Sequence, residues 1–325
     1  MNNQKVLILG GTGSLGKALV RKYQEKNKLL LFSRDEHKHV ALEKQNWVSE
    51  NVTFKVGDIK ERESIFSAIS EFNPSVIINA AAMKHVPVCE KNVFESVKTN
   101  VIGHQNLIDS IRLYKKQIET LIFISTDKAC KPINVYGMCK AISEKLYIDF
   151  SQKQNDTNVC MLRYGNVLES TGSIIPHFKN LIKNGEKFLP ITDPEMTRFL
   201  LSLEDACDLI DWAYHSNTHG KITVPKIKSM KMVDLANCLI EIFGEGRKID
   251  LKVVGVRFGE KIHEELISSE EWLRTEEREN YVICNEKHDF EPRWKTHSTN
   301  ESYSSKDFLM DQSEIKIFLE NNGVI

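Results

Sequence analysis

No apolar run in this sequence approaches the roughly 20 residues that a membrane-spanning helix needs. The longest, such as Val6-Leu7-Ile8-Leu9 and Leu29-Leu30-Leu31-Phe32, are four residues long, so no membrane partner is expected. Neither sign of charge dominates: 44 Lys and Arg face 45 Asp and Glu. Composition therefore offers neither a basic surface for nucleic acid nor an acidic solvating region. The seven cysteines are scattered, odd in number and never spaced C-x-x-C, which argues against a zinc knuckle or a disulfide framework and fits a reducing cytosol. The first residues, Met1 to Lys5, lead into a short apolar run rather than the roughly 7–15 apolar residues of a signal peptide. Export is not expected, and a cytoplasmic place is. With 41% apolar and 27% charged residues among 325, the chain has the composition of a folded protein of about two domains.

What is present alternates. Apolar runs at Lys5–Leu9, Leu29–Phe32, Val52–Val56, Ser75–Ala80, Thr120–Ser125 and Asn158–Leu162 read as strands buried on both faces of a parallel sheet. Between them, Leu15, Ala18, Leu19, Lys22 and Tyr23 keep helical spacing, as do Val93, Val97, Val101 and then Leu107, Ile108 and Ile111 in one longer segment. The alternation predicts an α/β fold with a doubly wound parallel sheet. After about Gly165 the rhythm breaks at Gly185, Pro190, Pro194, Pro225 and a Lys/Ser-rich turn near 226–231. There, Leu203, Ala206, Leu209, Ile210 and Ala213 form a helical stripe behind Ser202, a good N-cap. The expected division is a nucleotide-binding domain at 1–165, with a return strand near 221–226, and a smaller, mainly substrate-binding domain at 166–325. The polar stretch from about Asp289 gives no clear pattern.

Gly10-Gly11-Thr12-Gly13-Ser14-Leu15-Gly16 follows the first strand and opens the first helix. Residues without a β-carbon let the backbone turn tightly and approach a pyrophosphate, and the helix start adds N–H groups and a positive dipole end. That context favours a dinucleotide site over a plain strand-to-helix turn. About 20 residues on, where an acid would hold the ribose diol of NAD, stand Phe32-Ser33-Arg34. Arg34 can hold the 2′-phosphate of NADP through charge-assisted hydrogen bonds. A one-residue shift would bring in Asp35 and favour NAD, and a solvated arginine is the plain alternative.

Thr126-Asp127-Lys128 ends the fifth strand, and Tyr136-Gly137-Met138-Cys139-Lys140 opens the next helix. A tyrosine and a lysine four apart share a helix face, so the ammonium of Lys140 can stabilise a phenolate and hold a nicotinamide ribose; a nearby cation lowers a phenol by about 1–3 pH units. On any surface helix the same spacing is commonplace, and its weight here comes from its place after strand five of a glycine-motif sheet. An acid beside an amine permits two opposite proton transfers, although a loop Asp and Lys at the surface is an equal reading of these three residues.

The spacing of Gly10, Gly13 and Gly16 resembles the extended short-chain dehydrogenase/reductase pattern. The string S-T-D-K-A, with Y-G-x-x-K starting eight residues after the lysine, is similar to the inverting UDP-N-acetylglucosamine 4,6-dehydratases. Blocks at Ala82–Pro87, Arg163–Val167, Ile191–Phe199 and Gly259–Glu264 match in order, so the resemblance covers about residues 5 to 270. It implies a Rossmann fold with a small carboxyl-terminal domain, a retained and recycled NADP, a UDP-sugar substrate and a homo-oligomer, dimer or hexamer. The cofactor set it implies is Gly10, Thr12, Gly13, Ser14, Leu15 and Gly16, then Ser33 and Arg34, Asp58 and Ile59, Ala80, Ala81 and Ala82, with Tyr136 and Lys140. For catalysis it implies Thr126, Tyr136 at the carbon-4 hydroxyl, Asp127 as acid at carbon 6, Lys128 as base at carbon 5, and Lys140. Lys84, Asn166, Arg198, Arg257 and Glu260 are the implied substrate contacts, a surface ion pair being the plainer reading of a lone arginine. Phe258 departs from the proline or histidine common at its position. Tyr136 matches one branch of the inverting group, and Met196–Asp205 another.

Three further stretches invite a role. Asp35-Glu36-His37-Lys38-His39 offers no tetrahedral ligand set and reads as a solvated helix start, so no metal is assigned. Cys130 and Cys139 have no base pattern beside them and read as buried filler. Leu107, Ile108, Ile111 and the helix after Tyr136 are candidates for pairing with a second subunit, by analogy with the family. The rival readings are a carbon-5-retaining dehydratase, a 4-epimerase, which would have no use for the Asp127–Lys128 pair, and a non-catalytic NADP-binding regulator.

Overall fold

The structure, a computed structural model, describes residues 1–153, 156–168, 173–285 and 302–325. Strands β1 (Lys5–Leu9), β2 (Lys28–Ser33), β3 (Val52–Val56), β4 (Val76–Asn79), β5 (Thr120–Ile124) and β6 (Asn158–Leu162) are the six apolar runs of the sequence. They pair in parallel in the order β3-β2-β1-β4-β5-β6. The order reverses between β1 and β4, the switch point outside which doubly wound sheets bind ligands. Alternate residues feed two cores: Leu7, Leu9, Ile77, Leu121, Phe123 and Val159 on one face, Val6, Ile8, Ile78, Ile122 and Leu162 on the other.

The sheet continues past residue 165. Ile222–Val224 runs parallel to β6, and the antiparallel strands Tyr281–Ile283 and Thr275–Glu277 follow it, making nine strands in all among the described residues. The helix Leu203–His215 begins with reciprocal capping between Ser202 and Asp205 and buries Ala206, Leu209, Ile210 and Ala213. It packs beside the first helix, α1 (Ser14–Tyr23), where Lys22 pairs with Asp208 and, at 3.1 Å, with Asp211. A third core forms around the helices Ile174–Lys183, Met232–Phe243 and Gln312–Asn321. Of the polar stretch from about Asp289, residues up to 301 lie outside the described residues.

Two expectations need correction. The helix expected over Val93 to Ile111 is Val93–Val97, a widened π turn at Lys98–Ile102, and Gly103–Leu113. Within that turn the Asn100 side chain donates to the Met83 carbonyl and accepts from its N–H, each at 2.8 Å, and the Asn100 carbonyl accepts from Ser143, which draws the turn off the regular ladder. Leu107, Ile108 and Ile111 do not face a second subunit; they are buried in the sheet core. On the same helices the exposed apolar side chains are instead Val93, Phe94, Ile102, Leu113, Met138 and Ile142.

Arg163, just past β6 and 1% exposed, joins the parts. Its Nε and one terminal nitrogen donate to Glu144 at 3.0 and 2.6 Å, its two terminal nitrogens donate to Glu271 at 2.7 and 2.9 Å, and the Leu266 carbonyl takes the remaining N–H at 2.9 Å. All five guanidinium donors are thereby used. Burial pushes the Glu271 carboxyl upward, but the Arg163 charge and hydrogen bonds outweigh it and hold the group at about 2. A carboxyl lowered by folding adds stability above its unfolded value, about 4.3, and that stability is lost as pH falls towards 2. Wild type is therefore expected to be more stable to urea than Glu271→Gln at neutral pH, with the gap narrowing below about pH 4; a gap that does not change with pH would contradict this ion pair.

Candidate active site

A cleft of about 760 Å³ lies outside the carboxyl ends of β1, β2, β4 and β5. Gly10 takes φ +80°, and a β-carbon there would stand 2.9 Å from the Ala80 carbonyl carbon. Gly13 caps α1 with no side chain, and Gly10, Thr12, Gly13, Ser14, Leu15 and Gly16 all line the cleft. A backbone cradle at a helix amino terminus suits a pyrophosphate, so these residues fit the dinucleotide the sequence implies. Asp58 and Ile59 lie along the same wall, as do Ala80, Ala81 and Ala82.

At the end of β2, Ser33 and Arg34 reach the cleft. Asp35 lines it too, but its carboxylate caps the helix Glu36–Glu43, accepting from the Lys38 N–H at 3.2 Å and pairing with the Lys38 ammonium at 3.3 Å. These contacts hold the Asp35 carboxyl below its usual range. The Ser33 hydroxyl is held between Thr12 Oγ1 at 2.9 Å and His39 Nε2 at 2.7 Å. His39 is thus buried beneath the cleft rather than solvated as the charged sequence around it suggests.

Thr126, Asp127 and Lys128 leave β5 in a single 3₁₀ turn that Thr126 caps with its hydroxyl. The turn is pinned to the next chain segment, because the Asp127 N–H donates to the Tyr164 carbonyl at 3.0 Å. Lys128 Nζ lies 3.0 Å from Asp127 Oδ1 and 3.3 Å from Asn166 Oδ1. Glu264 Oε1 stands 3.6 Å from the same nitrogen. Burial disfavours the Lys128 charge, yet Asp127 and Glu264 outweigh it and raise the ammonium well above its ordinary value. Asp127 is wholly buried, and its Oδ2 has no partner among the described residues.

The helix Val135–Lys153 packs on that turn and brings Tyr136 and Lys140 to the cleft beside it. Its first turn is held by Asn134, which accepts from the Gly137 N–H and donates to the Gly259 carbonyl, both at 2.8 Å. The phenol does not follow the expected downward shift. Burial, the largest influence, pushes Tyr136 up to about 12, with Lys128 and a hydrogen bond to Thr126 pulling the other way. Lys140 Nζ donates instead to the Ile124 carbonyl at 2.6 Å and lies 4.5 Å over the Phe123 ring. Burial lowers it to about 7.

Lys84 and Asn166 line the cleft; Arg198, Arg257 and Glu260 are not on its walls. Arg198 is buried, with its guanidinium donating to the Thr197 and Ile262 carbonyls at 2.7 and 3.1 Å. Arg257 is exposed and pairs with Glu260 at 3.9 Å. Cys130 and Cys139 are buried thiols that burial pushes upward. Gly137, His39 and Glu264 were given no role by sequence reasoning. Gly137 and Glu264 lay inside motifs already noticed, whereas nothing in the charged run marked His39 as buried.

A family model described as "polysaccharide biosynthesis protein" matches residues 6–286. The chain belongs to this family. It is 40% identical over 285 residues to a UDP-N-acetylglucosamine 4,6-dehydratase (inverting) of Campylobacter jejuni, covering 86% of this chain and 82% of the relative. It is 37% identical over 291 residues to a UDP-glucose 4-epimerase of Rickettsia canadensis, covering 86% and 82%. The X-ray structure of Pen from Bacillus thuringiensis superposes with a TM-score of 0.89 at 31% identity, covering 100% of this chain and 99% of that one. The family member described here is thus of the nucleotide-sugar dehydratase and epimerase kind.

A β-carbon at Gly137 would stand 2.1 Å from the Lys128 carbonyl oxygen, and backbone cannot swing aside as a side-chain tip can. Gly137→Ala is expected to cost about 1–3 kcal/mol, measured as a lower urea midpoint. A variant as stable as wild type would contradict this packing of helix on turn.

Proposed function

We propose that the chain is an NADP-dependent UDP-N-acetylglucosamine 4,6-dehydratase that also inverts carbon 5. The product is a 4-keto-6-deoxy-L-hexosamine nucleotide for glycan biosynthesis. The observation that carries the reading is the Asp127–Lys128 pair, 3.0 Å apart, on the turn against which the Tyr136 helix packs. Epimerisation at carbon 4 needs a hydride acceptor and one base; it has no use for an acid and an amine side by side. Loss of water across carbons 5 and 6 needs both.

A dinucleotide held by the Gly10–Gly16 cradle would supply the hydride acceptor for carbon 4 and the hydride donor for carbon 6. Tyr136, once its own proton has passed to solvent, receives the proton of the 4-hydroxyl, with the Thr126 hydroxyl and the Lys128 charge stabilising the phenolate against its burial. At rest Lys128 is an ammonium and Asp127 its partner. Passing one proton across that contact gives a neutral amine and a carboxylic acid. The amine can then remove the proton of carbon 5, acidified by the neighbouring ketone, while Asp127 protonates the departing 6-hydroxyl. The charge-separated pair is restored as water leaves, and re-protonation of carbon 5 on the other face inverts it. Asn166, hydrogen-bonded to Lys128, orients the amine, and in this reading it also contacts the sugar.

Within this reading residues 1–165, with the strand near 221–226, hold the cofactor, and 166–325 mainly hold the sugar nucleotide. Lys84 serves the diphosphate from the cleft wall, whereas Arg198, Arg257 and Glu260 stand off those walls and take no part in this reading. The enzyme works in the cytoplasm as a homo-oligomer, with Phe94, Met138 and Ile142 as the apolar surface for association.

Proton NMR in heavy water, with UDP-N-acetylglucosamine and no added cofactor, tests the reaction. The expected product is a 4-ketone with a 6-methyl group and deuterium at an inverted carbon 5; a 4-epimer, or a ketone retaining configuration at carbon 5, would refute it. For the cofactor, Asp35 is committed to its helix cap, which leaves Arg34 to meet a 2′-phosphate. Hydrogen bonds to charged groups are worth about 1.5–3 kcal/mol, roughly 10- to 100-fold in binding. Arg34→Ala should weaken NADP by that factor and barely change NAD, as read by titration calorimetry; equal losses for both would overturn the NADP assignment.

A further inference from the structure

We propose that Glu264 is a positioning residue: with Asp127 and Asn166 it completes a set of three acceptors around the Lys128 ammonium, fixing where that nitrogen stands and how readily it releases its proton. The inference rests on the reading of Lys128 as the carbon-5 base. An ammonium has three N–H groups, and the acceptors facing them are Asp127 Oδ1 at 3.0 Å, Asn166 Oδ1 at 3.3 Å and Glu264 Oε1 at 3.6 Å. Glu264 is 2% exposed, and its Oε2 has no hydrogen-bond partner among the described residues. A carboxylate buried with half its acceptors unused is costly, so structural need alone does not explain it.

Its backbone is tightly fixed. The Glu264 N–H donates to Ser305 Oγ at 2.9 Å, and its carbonyl accepts from the Ser305 N–H at 2.8 Å. Glu264 is thereby one contact through which the carboxyl-terminal part of the chain reaches the acid–base pair. The charged and titratable groups facing Lys128 are Asp127 from its own turn, Glu264 and Arg198 from the later chain, and Tyr136 from the helix packed on that turn. Arg198 Nε lies 3.9 Å from Glu264 Oε1, so the carboxylate stands between two cations and is shared by them. It therefore restrains Lys128 without fully neutralising it, and a base that must both hold and release a proton needs that restraint.

The test reads Lys128 directly. The full chain, labelled with ¹⁵N-lysine, is titrated from neutral to alkaline pH by NMR, and the Lys128 signal is assigned by its loss in Lys128→Arg. An opposite charge at this range typically changes acidity by about 10- to 1,000-fold. In Glu264→Gln the Lys128 ammonium should become more acidic by at least the lower figure. If that variant does not fold, Glu264→Asp, which keeps the charge but draws it back, should move the titration the same way by less. A folded variant whose Lys128 titrates as in wild type overturns the proposal. As a second readout, the rising limb of carbon-5 deuterium exchange against pH should move to lower pH in Glu264→Gln while NADP affinity is unchanged; a uniform loss of rate with the limb in place would mark a merely structural role. The titration needs no substrate, so a wild type inert towards UDP-N-acetylglucosamine would count against the proposed reaction while leaving the hold of Glu264 on Lys128 to be decided by the titration.

Discussion

The buried guanidinium of Arg163 is the contact on which the rest of this molecule depends. Placing one cation and two carboxylates out of water is costly, and it is tolerated only where every donor is met. Here the partners come from separate parts of the chain. Glu144 lies one turn beyond Lys140 on the helix that carries Tyr136, and Glu271 lies near the carboxyl-terminal strands that extend the sheet. Glu144 also accepts from Ser125 at 2.6 Å, immediately before the Thr126-Asp127-Lys128 turn. One side chain thus sets the end of β5, the reactive helix and the later chain in mutual register.

That register gives the candidate site its character. The groups proposed for catalysis are nearly all withdrawn from water, and burial decides their resting protonation more than sequence neighbours do. Tyr136 is pushed up and Lys140 down because a charge on either loses its hydration. Lys128 stays charged because two carboxylates stand beside it. The site therefore rests as a phenol beside an ion pair, and the phenol must give up its proton before it can act as a base.

Much of this was legible beforehand because it is local. Six strands, the glycine turn and the capped helix behind Ser202 follow from periodicity and from residues that act on their immediate neighbours. Legibility failed where a distant contact overrode the local pattern. The helical spacing from Val93 to Ile111 was real, but Asn100 binds Met83 and widens the turn. The apolar residues at 107, 108 and 111 were correctly seen as a stripe, yet periodicity does not say whether a stripe meets a sheet or another subunit. Arg198 carried the right charge for a diphosphate, but the fold turns it towards backbone carbonyls and Glu264.

The sequence by itself determined the alternation of strand and helix, the cradle at Gly10 to Gly16, and the presence of Asp127, Lys128, Tyr136 and Lys140 at the ends of consecutive elements, since each depends on spacing along the chain. Only the tertiary structure decided that Glu264 joins Lys128 from more than a hundred residues away, that Asp35 is spent on a helix cap while Arg34 faces the cleft, and that strands near residues 275 and 281 extend the sheet. The physical reason is common to all three: electrostatic and packing partners are chosen by distance in space, and spacing along the sequence fixes that distance only within a turn or a strand.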